Sequence, residues 1–501
     1  MSALKVETAA GLVEGVVRDG VSQFLGIPFA APPLGELRFL GPLSVTPWTG
    51  VRRAAAPRTS PPQRPLPLLI DWAEQAPANE DCLELNVYTP GADDGKRPVM
   101  VWFYGGGFTE GSAGIYDATS LAARGDVVVV TVNYRLGALG FSYLQHLHER
   151  FAGSANTGMR DQIASLRWVR DNIGGFGGDP GCVTILGESA GGHSVGCILT
   201  SSEAEGLFHR CILQSSSGWG LRTPEWAEEV TAKLMAQLGL TTARQLQAVG
   251  VDSILAAQAV QPMQDSGGGG PRSLGTGSFP FAPTMDGVVL RGEVIDEVAA
   301  GRAERVPLLI CHTRDEIRLF AARGFLPEIR DTRDLAVRMA DTLPDGNAAV
   351  AAYRDAEPDG SLTDWFVAFL TDQTFHMPDF RLADVRLRHD ARVWMARFSW
   401  ESPAGVRGLG ACHGIEIPFL FHQPGQTGGA LDGHEAPTGL AHAMQDAWAA
   451  FARTGDPNCA SLPAWPRYEA GLRCVMNLDV EPALLHDPDS TLRALWQDVV
   501  F

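Results

Sequence analysis

The tightest constraint in this chain is a five-residue junction, Gly187-Glu188-Ser189-Ala190-Gly191. Before it runs Val183-Thr-Ile-Leu186, an apolar stretch of strand character; after it, Gly191 to Leu199 reads as a helix. A chain that passes from strand to helix within so few residues must turn sharply. Side chains two positions before and two after the serine would then collide with neighbouring backbone. Glycine at 187 and 191 removes them. The turn also aims a helix N-terminus, with its partial positive charge, at the space beside Ser189. The five letters alone fit a glycine-rich turn with an incidental serine. The strand before and the helix after are what a nucleophile elbow requires.

A second glycine cluster, Tyr104-Gly105-Gly106-Gly107-Phe108, follows another apolar run, Val99-Met-Val-Trp-Phe103. Acyl transfer builds negative charge on one oxygen, and glycines let backbone N–H groups approach it closely. Gly106, Gly107 and Ala190, the residue after the serine, are the candidate donors. A tight reversal or a phosphate-binding turn is the other reading of three glycines. No Gly-Lys-Ser/Thr follows, so the Walker pattern is absent. Two glycine motifs, each after its own strand, favour acyl transfer, with Phe108 a candidate pocket residue.

Val127 to Val132 and Val306 to Ile310 read as further strands. Met159 to Ile173 has helical periodicity and stops at Gly174-Gly175. Strands alternating with helices predict an α/β fold whose large, mostly parallel sheet is covered on both faces. The first sixty or so residues, rich in turns, predict a short antiparallel edge. Pro57 to Pro67 reads as a loop, and Gly267-Gly-Gly-Gly270 marks Asp265 to Gly277 as a flexible one. No clean boundary divides the 501 residues, which predicts one catalytic domain with helical insertions, roughly 220–410, forming the pocket.

The net charge of −18, with no lysine- or arginine-rich block, argues against nucleic acid as a partner. No apolar run of about 18 residues occurs, so no membrane helix is expected, and the N-terminus does not read as a secretory signal. The eight cysteines form no C-x-x-C pair. Reduced, buried thiols are expected rather than structural zinc.

Further segments carry a resemblance: Phe24-Leu-Gly-Ile-Pro-Phe-Ala30, Glu80-Asp-Cys-Leu-Glu-Leu-Asn-Val87, Asn133-Tyr-Arg-Leu-Gly137, Gly206-Leu-Phe-His-Arg210 and Phe451-Ala-Arg-Thr-Gly-Asp-Pro457. With the two glycine motifs, they make the chain resemble the type B carboxylesterase/lipase family, which contains bacterial para-nitrobenzyl esterases and the cholinesterases. The resemblance implies an α/β-hydrolase fold with long insertions and a triad in the order Ser, Glu, His. Ser189 takes the first place. Glu316, in Thr313-Arg-Asp-Glu316, takes the acid's place, and His413, in Gly410-Ala-Cys-His413, the base's. The residues alone leave Asp286, Asp296 and Asp315 open as acids. They also leave His376, His389, His422, His434 and His442 open as bases. Arg38 with Glu80 and Arg135 with Asp161 resemble the family's structural ion pairs, and Ser215 a serine that supports the site.

Departures from the family pattern bear on the pocket rather than the reaction. Ile317 stands where a glycine often follows the acid, Tyr104 where a histidine often precedes the glycines, and Ser216 where a glycine is usual. No cysteine precedes Cys82, so the family's frequent N-terminal disulfide is not expected, which favours a cytoplasmic bacterial enzyme. The implied function is hydrolysis of small-molecule carboxylic esters through an acyl-serine, without metal or cofactor. Carbamates, lactones or amides are the alternative substrates, and a non-catalytic binding protein of the same fold is the remote alternative. Trp72, Phe279 and Phe281 are candidate pocket residues; a loop anchor is the preferred reading of Trp72, and core packing accounts for Phe279 and Phe281 equally well. Short acyl groups and aromatic alcohols are the expected substrate features. Whether the chain is a monomer or a dimer stays open.

Overall fold

The computed structural model describes residues 4–64, 76–216, 220–260, 279–389, 392–401, 403, 408–423, 425–427, 429–431 and 433–500. Trp72 and the 265–277 segment lie outside the described residues.

A 13-stranded sheet organises the chain. Its strands are β1 (Leu4–Thr8), β2 (Gly11–Arg18), β3 (Val21–Pro28), β4 (Val51–Arg53), β5 (Glu84–Thr89), β6 (Arg97–Phe103), β7 (Val128–Val132), β8 (Gly178–Glu188), β9 (Arg210–Gln214), β10 (Leu308–Thr313), β11 (Val393–Phe398), β12 (Cys474–Leu478) and β13 (Ala483–His486). They lie in the order β1-β2-β3-β5-β7-β6-β8-β9-β10-β11-β12-β13, with β4 beside β2. From β7 to β12 every neighbouring pair is parallel. The N-terminal pairs along this order are antiparallel, as the turn-rich start predicts, while β4 runs parallel to β2.

The central strands β6 and β7 are apolar along nearly their whole length because helices cover both faces, leaving no side for polar alternation. Strand β8 begins five residues before the apolar run, at Gly178; that first stretch is polar and partly exposed, so no apolar run marks it. Strand β10 begins only after Pro307 and runs on to Thr313. A proline cannot donate to the ladder, which fits its place outside the strand.

Helices predominate between 220 and 410, yet this stretch also supplies β10 and β11 to the sheet. The expected ion pairs are formed: Arg38 lies 2.6 Å from Glu80, and Arg135 lies 2.7 Å from the fully buried Asp161. All eight cysteines are free thiols. Among the described residues no helix is long and apolar enough to cross a membrane.

Candidate active site

Open α/β sheets place their sites beyond the carboxyl ends of the parallel strands. The residues singled out above leave that edge one strand after another. Gly105 to Gly107 follow β6, Ser189 follows β8, Ser215 follows β9 and Glu316 follows β10.

Ser189 sits between β8 and the helix Ala190–Thr200 with φ 57° and ψ −126°, a conformation that L-residues rarely hold. Its neighbours explain why the turn survives. A Cβ on Gly187 would lie 2.5 Å from the carbonyl carbon of Gly191, and one on Gly191 would overlap the Phe103 carbonyl oxygen. Ser189 N–H donates to Gln214 O at 2.9 Å, and His193 N–H donates to Ser189 O at 2.8 Å. The turn is therefore pinned to β9 on one side and to the helix on the other.

The loop after β6 packs directly on this turn. A Cβ on Gly105 would lie 3.0 Å from Ser189 Cβ. Gly106 and Gly107 take φ of +106° and +60°, so the backbone reverses where only glycine is unstrained. Phe108 shares the left-handed region with φ 60° and is fully buried. Among the described residues no hydrogen bond occupies the N–H of Gly106, Gly107 or Ala190. The loop is fixed instead through Tyr104. Its ring stacks on Tyr134 at 4.4 Å, and Tyr134 Oη donates to Tyr104 O at 2.7 Å.

Glu316 and His413 meet from distant segments. His413 Nδ1 lies 2.5 Å from Glu316 Oε2. The other oxygen, Oε1, accepts from Ser215 Oγ at 2.6 Å and from Thr313 N at 2.7 Å. Both side chains are buried. A carboxylate only accepts, so Nδ1 carries the proton and Nε2 is the nitrogen left to act as a base.

Six of the eight rival acids and bases contact groups other than Glu316 and His413. Asp286 Oδ1 accepts from the backbone of Val288, Val289 and Leu290. Asp315 holds Ala411 N–H and Arg314. His376 pairs with Asp372, and His389 bonds Ala299 O. His422 and His442 face one another.

Two residues not anticipated from the motifs shape the electrostatics. Glu188, the variable letter beside the serine, places Oε1 3.1 Å from His413 Nε2. Glu416 Oε1 accepts from Gln214 Nε2 at 3.1 Å. Burial pushes both carboxyls up; His413 opposes the rise at Glu188, while neighbouring carboxylates add to both. Burial also works against a charged His413, but Glu188 and Glu316 outweigh it and lift the imidazole to about 9. Three acidic side chains thus surround one imidazole and favour the positive charge that it gains by taking a proton.

Aromatic groups wall the site. The rings of Phe320 and Phe375 lie 5.3 and 5.1 Å from that of His413. The Phe279 ring sits so close to Gly107 that a Cβ there would overlap it. Phe281 is buried, with 1% exposure.

Comparison with known proteins identifies the family. The carboxylesterase family profile matches residues 2–494. The para-nitrobenzyl esterase of Bacillus subtilis is 35% identical over 97% of both chains. The phenmedipham hydrolase of Pseudarthrobacter oxydans is 34% identical over 92% of both. A solved structure of PNB esterase superposes with a TM-score of 0.86 at 33% identity, covering 99% of each chain. The chain belongs to the carboxylesterase family, has the α/β-hydrolase fold, and is a carboxylic ester hydrolase of the serine type.

Proposed function

We propose that Ser189 is the nucleophile, His413 its general base and Glu316 the group that orients the base. The observation that carries this reading is the division of labour at Glu316. One oxygen is anchored by Ser215 and Thr313, and the other takes His413 Nδ1. Nε2 then accepts the hydroxyl proton as Ser189 attacks the ester carbonyl, and Glu316 stabilises the resulting imidazolium. The N–H groups of Gly106, Gly107 and Ala190 receive the negative oxygen of the tetrahedral intermediate. His413 returns the proton to the departing alcohol, then draws one from the water that cleaves the acyl-serine. Loss of one oxyanion donor typically lowers turnover on the order of 100-fold.

The substrates in this reading are small esters with short acyl groups and aromatic alcohols. Phe279 against Gly107, with Phe320 and Phe375 beside His413, supplies a narrow aromatic setting for the reacting carbonyl. The eight free thiols support a reducing, cytoplasmic setting, and the likeness to a Bacillus subtilis esterase supports a bacterial one.

A fluorophosphonate probe tests the chemistry. It should label the wild-type protein, and Ser189→Ala should abolish labelling while keeping the melting transition. Persistent labelling of the folded variant would place the nucleophile elsewhere. Para-nitrophenyl acetate should turn over faster than the dodecanoate ester, and the reverse order would refute the short-acyl assignment.

A further inference from the structure

Behind the Glu316 loop runs a continuous helical segment, Leu362–Thr371, Asp372–His376 and Met377–Arg386. Its middle five residues form a π-helical turn. Such turns interrupt the α-helical ladder and recur where a helix serves a functional site. Three residues of this segment reach the acid–base pair or the backbone beside Glu316. Thr371 Oγ1 accepts from Ile317 N–H at 3.2 Å, just after the acid. The Phe375 ring lies 5.1 Å from His413. His376 Nε2 lies 2.8 Å from Thr313 O, and the Thr313 N–H is a donor to Glu316 Oε1.

The protonation of His376 follows from its partners. Thr313 O can only accept, so Nε2 is a donor. Nδ1 faces Asp372 Oδ1 at 3.2 Å, and the other Asp372 oxygen accepts Tyr353 Oη at 2.7 Å. An ionised carboxylate at Nδ1 makes that nitrogen a donor too, so the ring is an imidazolium. Trp496 Nε1 donates to Tyr353 Oη at 3.0 Å and completes the support from the C-terminal end of the chain. All four side chains are at most 5% exposed.

We propose that this π-helical turn is the positioning element of the acid–base pair, with His376 held as a cation between Asp372 and the Thr313 carbonyl. His376 acts through the Thr313 backbone, whose carbonyl and N–H lie in the two peptide units joined at its Cα, and Phe375 limits the tilt of the His413 ring. The path Trp496–Tyr353–Asp372–His376–Thr313–Glu316 is hydrogen-bonded at every step. Burial opposes the His376 charge, but Asp372 and the Thr313 carbonyl outweigh it, and the imidazole is lifted to about 9. The groups facing it are Asp372 on its own segment, Tyr353 from the helix Gly346–Ala356, and His312 from β10. The His312 ring is 4.2 Å away and bonds Asp379. Asp489 adds to the rise from further off. Burial, then the positive His376, keep His312 itself neutral.

The inference rests on Glu316 being the triad acid, so Glu316→Gln is measured beside His376→Leu and Tyr353→Phe. His376→Leu should lower kcat about 10-fold or more with KM nearly unchanged, because a small misplacement of an orienting group is felt in the transition state. Its acid limb of kcat/KM should move to lower pH, since a loosened Glu316 supports the His413 cation less. Tyr353→Phe keeps the ring, loses one bond to Asp372, and should shift kcat and the limb in the same directions by less. If Glu316→Gln is disabled while both other variants keep wild-type kcat and pH profile, with only a lower Tm, the turn is packing and the proposal fails. If Glu316→Gln itself keeps full turnover, the triad reading fails instead. Should His376→Leu not fold, an unchanged kcat and pH limb in Tyr353→Phe overturns the proposal by itself.

Discussion

Glu188 Oε1 stands 3.1 Å from His413 Nε2, which must be neutral to serve as the base in the proposed triad. The contact therefore has two opposed effects. It stabilises the imidazolium formed during attack, and it holds a proton on the resting imidazole to higher pH. Replacing Glu188 by Gln removes the negative charge that contributes most to raising His413. The charged ring then loses support, its pKa falls, and the neutral base exists at lower pH. In Glu188→Gln the acid limb of kcat/KM should move down by about one pH unit, a typical effect of one close opposite charge. A limb that stays in place or moves up would show that Glu188 does not govern the base. This residue was hidden because G-x-S-x-G constrains backbone shape at its glycines and leaves the second letter free. Only the crossing of the His413 loop over the end of β8 gives that letter its charge partner. The Ser189 turn was legible for the opposite reason: its strain is local, and so is its glycine remedy.

The elements around the site follow the same division. Strands β6 and β7 and the helix after Ser189 could be read from short runs, since each run meets its own periodicity. The choice of Glu316 over Asp315, its neighbour in the same loop, could not. Asp315 is spent on Ala411 N–H and two arginines, contacts made only once the loop is folded. Between β7 and the helix Thr157–Asn172, Arg135 makes two 2.7 Å hydrogen bonds to Asp161. Asp161 is fully buried; burial pushes its carboxyl up and Arg135 opposes that. Arg135→Leu leaves the burial penalty without its counterweight and should cost about 3–5 kcal/mol, as other broken buried pairs do. The double variant Arg135→Leu/Asp161→Leu removes both charges and should recover most of that loss. Urea unfolding of the single and double variants measures both quantities. A double variant no more stable than Arg135→Leu would mean that the pair holds these elements through geometry that leucine cannot reproduce.

At the scale of the molecule, the decisive fact is where residues 220–410 enter the sheet. The 220–410 stretch carries the helices around the site, and it also lays β10 and β11 between β9 and β12. The stretch as a whole cannot separate without breaking parallel ladders in the body of the sheet. The chain's ends are equally committed, for β1 lies at one edge of the sheet and β13 at the other. One connected apolar cluster runs from Val6 to Trp496. We infer a single cooperative unit, although chains beyond about 150 residues often unfold in stages. On heating, far-UV circular dichroism, tryptophan fluorescence and loss of ester hydrolysis should trace one coincident transition. The calorimetric and van't Hoff enthalpies should agree. Activity lost well before the far-UV signal would mean that the site-forming helices melt as a body of their own. The strands β10 and β11 would then hold to the sheet without the helices that flank them, and the inference of one domain would be wrong.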